Sequence, residues 1–111
     1  MREDTRFRLL HVLDRNPEVS QRALAKDVGV SLGSVNARLN ALIEIGLVKI
    51  GNSQTGTSRF GFAYRLTGSG KAEKMRLAAR YLGRRRAQMA ALLGEIEALE
   101  AEFAPQSDRP A

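Results

Sequence analysis

The spacing of apolar residues along the first half of the chain predicts three short helices, at positions 5–15, 21–28 and 32–45. The second and third helices each follow a serine, Ser20 or Ser31, whose hydroxyl oxygen can accept a hydrogen bond from an unpaired amide of the first turn. Gly29 lies in the turn between them, and Gly46 follows the last apolar residue, where a left-handed cap is typical. This pattern predicts a helix-turn-helix, a motif whose second helix fits the major groove of DNA.

Two strands are predicted after these helices, at 47–50 and 60–66. The polar segment between them, 51–59, is rich in glycine, serine and threonine, which predicts a β-hairpin with a long tip. The order of three helices and two strands predicts a mostly α-helical winged helix-turn-helix with a β-hairpin wing. In the second strand, alternate side chains are expected to share one face: Phe60, Phe62, Tyr64 and Leu66.

A long helix without proline is predicted from about Lys71 to Phe103, which at ~1.5 Å per residue is roughly 50 Å long. Its apolar residues recur every three or four positions, a spacing typical of a coiled coil. The alternative is an amphipathic helix that packs on its own core, which we expect for its first two turns only. The predicted dimerisation seam consists of Ala78, Leu82, Arg85, Met89, Leu92, Ile96, Leu99 and Phe103.

The charges of this helix are segregated, with basic residues in its first half and glutamates in its second half. This order opposes the helix dipole, which favours acids early and bases late. An antiparallel partner would pair the two kinds of charge, so we expect an antiparallel homodimer, with a parallel coil or a swapped bundle as alternatives. The predicted divisions are a DNA-binding domain at 1–68, a dimerisation helix at 69–103 and a disordered tail at 104–111.

The third helix presents a polar face opposite its apolar stripe, which contains Val35, Leu39 and Leu42. Amides at base-reading distance can pair with adenine, an arginine can pair with guanine, and an alanine methyl can contact a thymine methyl. The alternative for Asn36 and Asn40 is that they are simply solvated polar groups of a helix surface. The predicted base-reading residues are Ser34, Asn36, Ala37, Arg38 and Asn40.

Contacts to the DNA backbone are expected from polar residues around the first helix of the motif. Such contacts set the register of the protein on the duplex and carry no sequence information directly. The predicted phosphate-contacting residues are Gln21, Arg22, Lys26 and Ser31. Arg59, at the tip of the predicted wing, is a candidate for insertion into a narrow minor groove. Its alternative role is an ordinary charge on a disordered loop.

The composition agrees with a nucleic-acid partner, because 18 Lys and Arg against 12 Asp and Glu give a net charge of +6. The chain has no cysteine, which excludes disulfides and thiolate metal sites. No segment is apolar enough to predict a membrane span or a secretory signal, so a cytoplasmic location is expected. His11 is the only histidine, and no nucleophile–base pair is evident. We therefore predict no enzyme activity, no metal and no cofactor.

The segment ALAKDVGVSLGSVNARLNALIEIGLV, followed by a hairpin and by YRLTGSG at the start of a long helix, resembles the MarR-type winged-helix regulators. The resemblance extends from about Phe7 to Phe103 and is greatest to the small subgroup associated with exopolysaccharide gene clusters. Full-length members of the family carry an additional N-terminal helix that contributes to dimerisation and to an effector pocket. Here the helices begin almost at Met1, so neither feature is expected to carry over, and an effector ligand is left open.

The resemblance implies a homodimer that binds double-stranded DNA at a pseudo-palindromic operator, usually as a repressor. The alternative is a winged-helix module for protein–protein contact in a transcription, replication or chromosome-organising complex. A protein-binding face is expected to expose large apolar or aromatic anchors, whereas the predicted face of the third helix is polar. The sequence therefore favours DNA as the partner.

Overall fold

The computed structural model describes residues 2–52 and 62–105. It divides into two compact units, Met1–Ala79 and Arg80–Ala111. The last helix begins next to the predicted boundary at 68/69, and its first turns belong to the first unit, so the two units meet further along the chain than that boundary. In chain order the elements are α1 (Glu3–Arg15), α2 (Gln21–Val28), α3 (Leu32–Glu44), β1 (Val48–Asn52), β2 (Phe62–Leu66) and α4 (Gly68–Phe103).

The three short helices begin and end close to the predicted positions. The Ser20 hydroxyl accepts a hydrogen bond from the Ala23 amide at 3.0 Å, and the Ser31 hydroxyl accepts one from the Ser34 amide at 3.1 Å. Gly29 and Gly46 both have φ of 81°, a left-handed conformation that was predicted for Gly46 and that closes the predicted turn at Gly29. α1 begins two residues earlier than predicted, and its first turn carries two acidic residues that favour the positive end of the helix dipole.

The core of the first unit is built almost entirely from leucine and valine side chains. α1, α2 and α3 each contribute an apolar stripe, and the hairpin and the first turns of α4 complete the enclosure. The first unit therefore has a single apolar core on which α3 is fixed. The largest side chains with less than 2% exposure are Leu9, Leu10, Leu13, Leu24, Val35, Leu39, Leu42, Val48 and Leu77.

The hairpin pairs β1 and β2 in antiparallel register, with Val48 opposite Leu66 and Asn52 opposite Phe62. β1 extends to Asn52, two residues beyond the prediction, because its pairing with β2 continues that far. Ala63 is fully buried on the face of β2 opposite Tyr64, so the strand contributes buried side chains from both of its faces. The loop after α1 also lies along β2, because the Tyr64 amide donates to the Pro17 carbonyl at 3.0 Å.

The junction of the hairpin with α4 is closely packed. Thr67 caps the helix, because its hydroxyl oxygen accepts from the Gly70 amide at 3.0 Å and its hydroxyl group donates to the Gly46 carbonyl at 2.6 Å. A side chain at Gly70 would collide with the carbonyl oxygen of Leu47. Glycine at this position therefore permits α4 to start at Gly68, three residues before the predicted start, directly against the residue that precedes β1.

Ion pairs join α1 to the start of α4. The Arg6 guanidinium lies 2.8 Å from a Glu73 carboxylate oxygen, and Arg76 lies 2.7 Å from the other. The hydrogen bonds from Arg76 and Arg6 lower the pKa of Glu73 to about 2. Lys74 contacts Asp14 at 2.7 Å and lowers the pKa of that carboxyl group as well. Both carboxylates are therefore ionised at neutral pH, and α1 is held to α4 by charge in addition to apolar packing.

Candidate nucleic-acid interface

The five predicted base-reading residues occur together on the outward face of α3. Val35, Leu39 and Leu42 anchor the opposite side of the helix in the core. Serine capping at Ser31 fixes where α3 begins, and the left-handed Gly46 follows its end. The helix is therefore held rigidly while its polar face remains open to a ligand. Asn36, Ala37 and Asn40 are exposed, and Ser34 and Arg38 are half-buried.

Arg38 does not project freely from this face. Its Nε donates to the Ser34 hydroxyl at 2.9 Å, one helical turn earlier. This contact holds the guanidinium against the helix surface and leaves its two terminal nitrogens as the donors for a ligand. Two parallel donors of this kind match the O6 and N7 acceptors of guanine in the major groove.

The asparagines are joined to one another and to two other elements of the first unit. The Asn40 side-chain nitrogen donates to the Asn36 oxygen at 3.0 Å, and the Asn36 nitrogen donates to the Gln21 oxygen at 3.3 Å. The Gln21 nitrogen in turn donates to the Tyr64 hydroxyl at 3.1 Å. A single chain of side-chain hydrogen bonds therefore runs from α3 through α2 to β2.

The residues predicted to contact phosphates are grouped at α2 and at the turn before α3. Arg22 and Lys26 are exposed on α2, and the exposed Ser31 caps the N-terminus of α3. Helix N-termini favour anions through their unpaired amides and dipole. Gln21, the fourth residue of this group, is half-buried and bridges Asn36 and Tyr64.

Two features of the interface were missed in the sequence. Tyr64 was placed among the apolar positions of β2, yet its hydroxyl contacts Gln21 in the motif. Leu32 has 44% of its surface exposed at the start of α3, one turn from Asn36. A hydroxylated ring on an otherwise apolar strand was the available signal for Tyr64, and a leucine outside the stripe of α3 was the signal for Leu32. Arg59, the predicted wing-tip residue, lies outside the described residues.

The second unit exposes a row of large apolar side chains along α4. They recur every three or four positions, as predicted, and Arg85 lies in the same row with a hydrogen bond to Gln88 at 3.0 Å. Ala78 belongs to the first unit and is half-buried there. Leu93 is a further exposed leucine that the predicted seam did not include. The exposed seam residues are Leu82, Met89, Leu92, Ile96, Leu99 and Phe103.

The part of the chain that the structure describes contains neither a cluster of metal-binding side chains nor a helix that could span a membrane. Within residues 2–52 and 62–105, no group of three or more His, Asp or Glu side chains could hold a metal ion. His11 instead stacks on Phe7, with ring centroids 5.6 Å apart. None of the described helices is both long and apolar enough to cross a bilayer.

Comparison with known proteins agrees with this geometry. Residues 2–49 match a family described as winged helix-turn-helix DNA-binding. No curated protein sequence matches the chain. The match does not extend to α4, so the family assignment rests on the helix-turn-helix and the start of the wing.

Three solved structures resemble the chain over most of its length. The PcaV transcriptional regulator from Streptomyces coelicolor has a TM-score of 0.64 at 20% identity, over 90% of this chain and 74% of that one. Wild-type MarR from E. coli has a TM-score of 0.60 at 21% identity, over 90% and 76%. The transcriptional repressor CouR, bound to a 23-mer DNA duplex, has a TM-score of 0.58 at 28% identity, over 84% and 70%.

These matches are to a DNA-binding domain and to transcription regulators rather than to enzymes. The predicted winged helix-turn-helix with a long C-terminal helix is confirmed as the fold. The chain thus contains a winged helix-turn-helix DNA-binding domain and shares the fold of the MarR regulators.

Proposed function

We propose that the protein is a transcriptional regulator that binds an inverted-repeat DNA site as a homodimer. The observation that carries this proposal is the outward face of α3, where small and polar residues stand on a helix fixed by its buried side. Leu32 is the single large apolar side chain exposed on α3, and one leucine is not the cluster of anchors expected for a protein partner. Its position beside Asn36 suits contact with a thymine methyl group.

The roles of the α3 residues follow from their chemistry. Asn36 and Asn40 present amides suited to adenine, and Arg38 presents paired donors suited to guanine. Ala37 lies exposed between them and permits close approach of the helix to the base edges. Ser34 contributes a hydroxyl that already accepts from Arg38 and can donate to either kind of base.

Phosphate contacts are assigned to the α2 side of the motif. Arg22 and Lys26 supply positive charge, whereas Ser31 supplies a hydroxyl at a helix N-terminus. Gln21 is assigned to the same group, with one of its N–H donors committed to Tyr64. Arg59 remains the proposed minor-groove residue of the wing.

Dimerisation is assigned to α4, the dimerisation helix of the proposed division. Within the second unit it exposes six large apolar residues of the seam, which in water need a partner. A second copy is favoured because the same helix carries arginines at one end and glutamates at the other. Antiparallel copies bring those opposite charges together, while parallel copies bring like charges together.

We propose that the protein acts as a repressor and that it is located in the cytoplasm. CouR, which shares the fold, is a transcriptional repressor bound to DNA, and repression works by occupying an operator. The resemblance to the exopolysaccharide-associated subgroup extends the proposal to genes of that class as targets. The shared fold and the polar face of α3 support both statements.

Sequence selection tests the proposed function. The full-length protein is incubated with a library of randomised duplexes, and the bound fragments are sequenced over successive rounds. We expect enrichment of an inverted repeat whose half-sites are centred about 10 base pairs apart or a small multiple of that spacing. Asn40→Ala should relax the preference at one position of each half-site.

The control is Lys26→Ala, which should weaken binding to all sequences and leave the selected motif unchanged. Absence of any enriched sequence with the wild-type protein would exclude sequence-specific binding. In that case a protein partner at the α3 face becomes the better hypothesis.

A further inference from the structure

The hydrogen-bond chain from α3 to β2 has a direction, which its donors and acceptors define. Asn40 donates to Asn36, Asn36 donates to Gln21, and Gln21 donates to the Tyr64 hydroxyl. Each amide uses one N–H in this chain, and each of the three hydrogen bonds fixes the rotation of the side chain that donates it. The orientation of the terminal amide, Asn40, is therefore set by a residue of the wing strand.

Tyr64 is well suited to be the fixed end of the chain. Its backbone amide is bonded to the Pro17 carbonyl at 3.0 Å, and its ring contacts Phe62 edge-on with centroids 5.8 Å apart. The half-buried side chain also packs against the core. The phenol oxygen consequently has a defined position relative to α2. A side chain that contacted only solvent would not have a defined position.

Asn40 retains the groups that adenine recognition requires. Within the described residues it spends one N–H on Asn36, which leaves its side-chain oxygen and its second N–H for a ligand. Adenine offers a complementary pair in the major groove, the N6 amino donor and the N7 acceptor. A fixed amide orientation lowers the ordering cost of forming both bonds at once.

We infer that Tyr64, through Gln21 and Asn36, is a positioning residue that determines base preference at the point that Asn40 contacts. The inference rests on the proposed function, because it names how one base is selected by that same face. Tyr64 itself is not assigned a contact with DNA. Its role is to hold the asparagine amide in the orientation that pairs with adenine.

The test removes only the phenol oxygen. Tyr64→Phe keeps the ring and its packing, and the matched control Tyr81→Phe removes the only other tyrosine hydroxyl in the chain, from α4. Equilibrium affinity is measured by fluorescence anisotropy with the selected duplex and with duplexes that carry each alternative base pair. Asn40→Ala and the double variant Tyr64→Phe/Asn40→Ala complete a mutant cycle.

We expect Tyr64→Phe to reduce discrimination by about threefold to tenfold at the one base pair that Asn40→Ala also affects. Affinity for random duplex and thermal stability should remain as in the wild type, and so should every position of the motif except those that Asn40 and Asn36, the other amide of the chain, contact. Tyr81→Phe should change neither the discrimination nor the affinity for random duplex. In the Asn40→Ala background, Tyr64→Phe should have no further effect at the base pair that Asn40 contacts, because the amide that it positions is absent.

Gln21→Met gives a second variant that interrupts the chain from α2 without a change of charge. It should reproduce the same position-specific loss, in addition to a uniform loss on all duplexes from the phosphate contact assigned to Gln21, so the inference does not depend on the folding of one variant. Wild-type discrimination at every position in Tyr64→Phe would overturn the inference alone, as would an equal loss on all sequences. Failure of the wild type to prefer any sequence would overturn the proposed function as well.

Discussion

Ala37→Glu should reduce DNA affinity by about 100-fold or more while the fold is retained. Ala37 is exposed at the centre of the α3 face, so a carboxylate there would meet base edges and phosphates inside the groove. Like charges brought together at an interface cost several kcal/mol. Glutamate is a good helix former, and a surface substitution of this kind changes the free energy of unfolding by about 0.5 kcal/mol or less.

Ala87→Glu is the matched control, because Ala87 is an exposed alanine of α4 and the change in net charge is the same. Binding is followed by fluorescence anisotropy with a fixed duplex, and folding is followed by circular dichroism. We expect the control to bind within about threefold of the wild type. Equal losses in the two variants would show that net charge alone, and not the α3 face, determines the affinity.

Cysteines at positions 82 and 99 should form a cross-link only between two different variants. In the proposed antiparallel pair, Leu82 of one copy lies opposite Leu99 of the other. Arg84 and Arg86 then face Glu97 and Glu95, so the apolar layers and the charges agree on one register. The two copies of position 82 are separated along the axis by about 25 Å, too far for a disulfide.

The measurement uses the single variants Leu82→Cys and Leu99→Cys, in a chain that otherwise has no cysteine. Each variant is oxidised alone and after the two are mixed, and the products are separated on non-reducing gels. We expect a covalent dimer in the mixture and little in either variant alone. The opposite pattern, with dimers in each single variant and none between them, would establish a parallel pair.

The local signals in the sequence predicted the helices of the first unit well. Ser20, Ser31, Gly29 and Gly46 act within a few residues of their own positions, and their hydrogen bonds and backbone angles match the expected caps. The buried stripe of α3 follows from helical periodicity alone. The residues of α3 outside that stripe form its outward face, so the candidate base-reading residues follow from the same periodicity.

Long-range contacts were not visible in the sequence. The bond between Gln21 and Tyr64 joins residues 43 positions apart, and the ion pair between Arg6 and Glu73 joins residues 67 positions apart. Neither has a local pattern, because both depend on how β2 and α4 pack on the motif. The burial of Ala63 has the same origin, since the second face of the strand is covered only in the folded unit.

The extended start of α4 also required the three-dimensional structure. In the sequence, Gly68 and Gly70 indicate a boundary between the hairpin and the last helix, because glycine usually weakens a helix. In the structure Thr67 caps the helix through the Gly70 amide, and the space beside Gly70 is occupied by the Leu47 carbonyl. A close approach of two backbones thus explains a glycine that the sequence presented as a linker.

The central claim is that the surface formed by α2 and α3 binds DNA through its basic side chains. The salt dependence of DNA affinity tests this claim most directly. Arg22 and Lys26 at the phosphates and Arg38 in the groove place roughly six positive charges of the two copies against the DNA, and the counterions they displace predict a slope of about −5 for log affinity against log salt concentration. Contacts from both copies of Arg59 would steepen it to about −7. The full-length protein is titrated with its selected duplex from about 50 to 200 mM salt. A slope near −5 or steeper is the predicted result, and a slope close to zero would contradict the account.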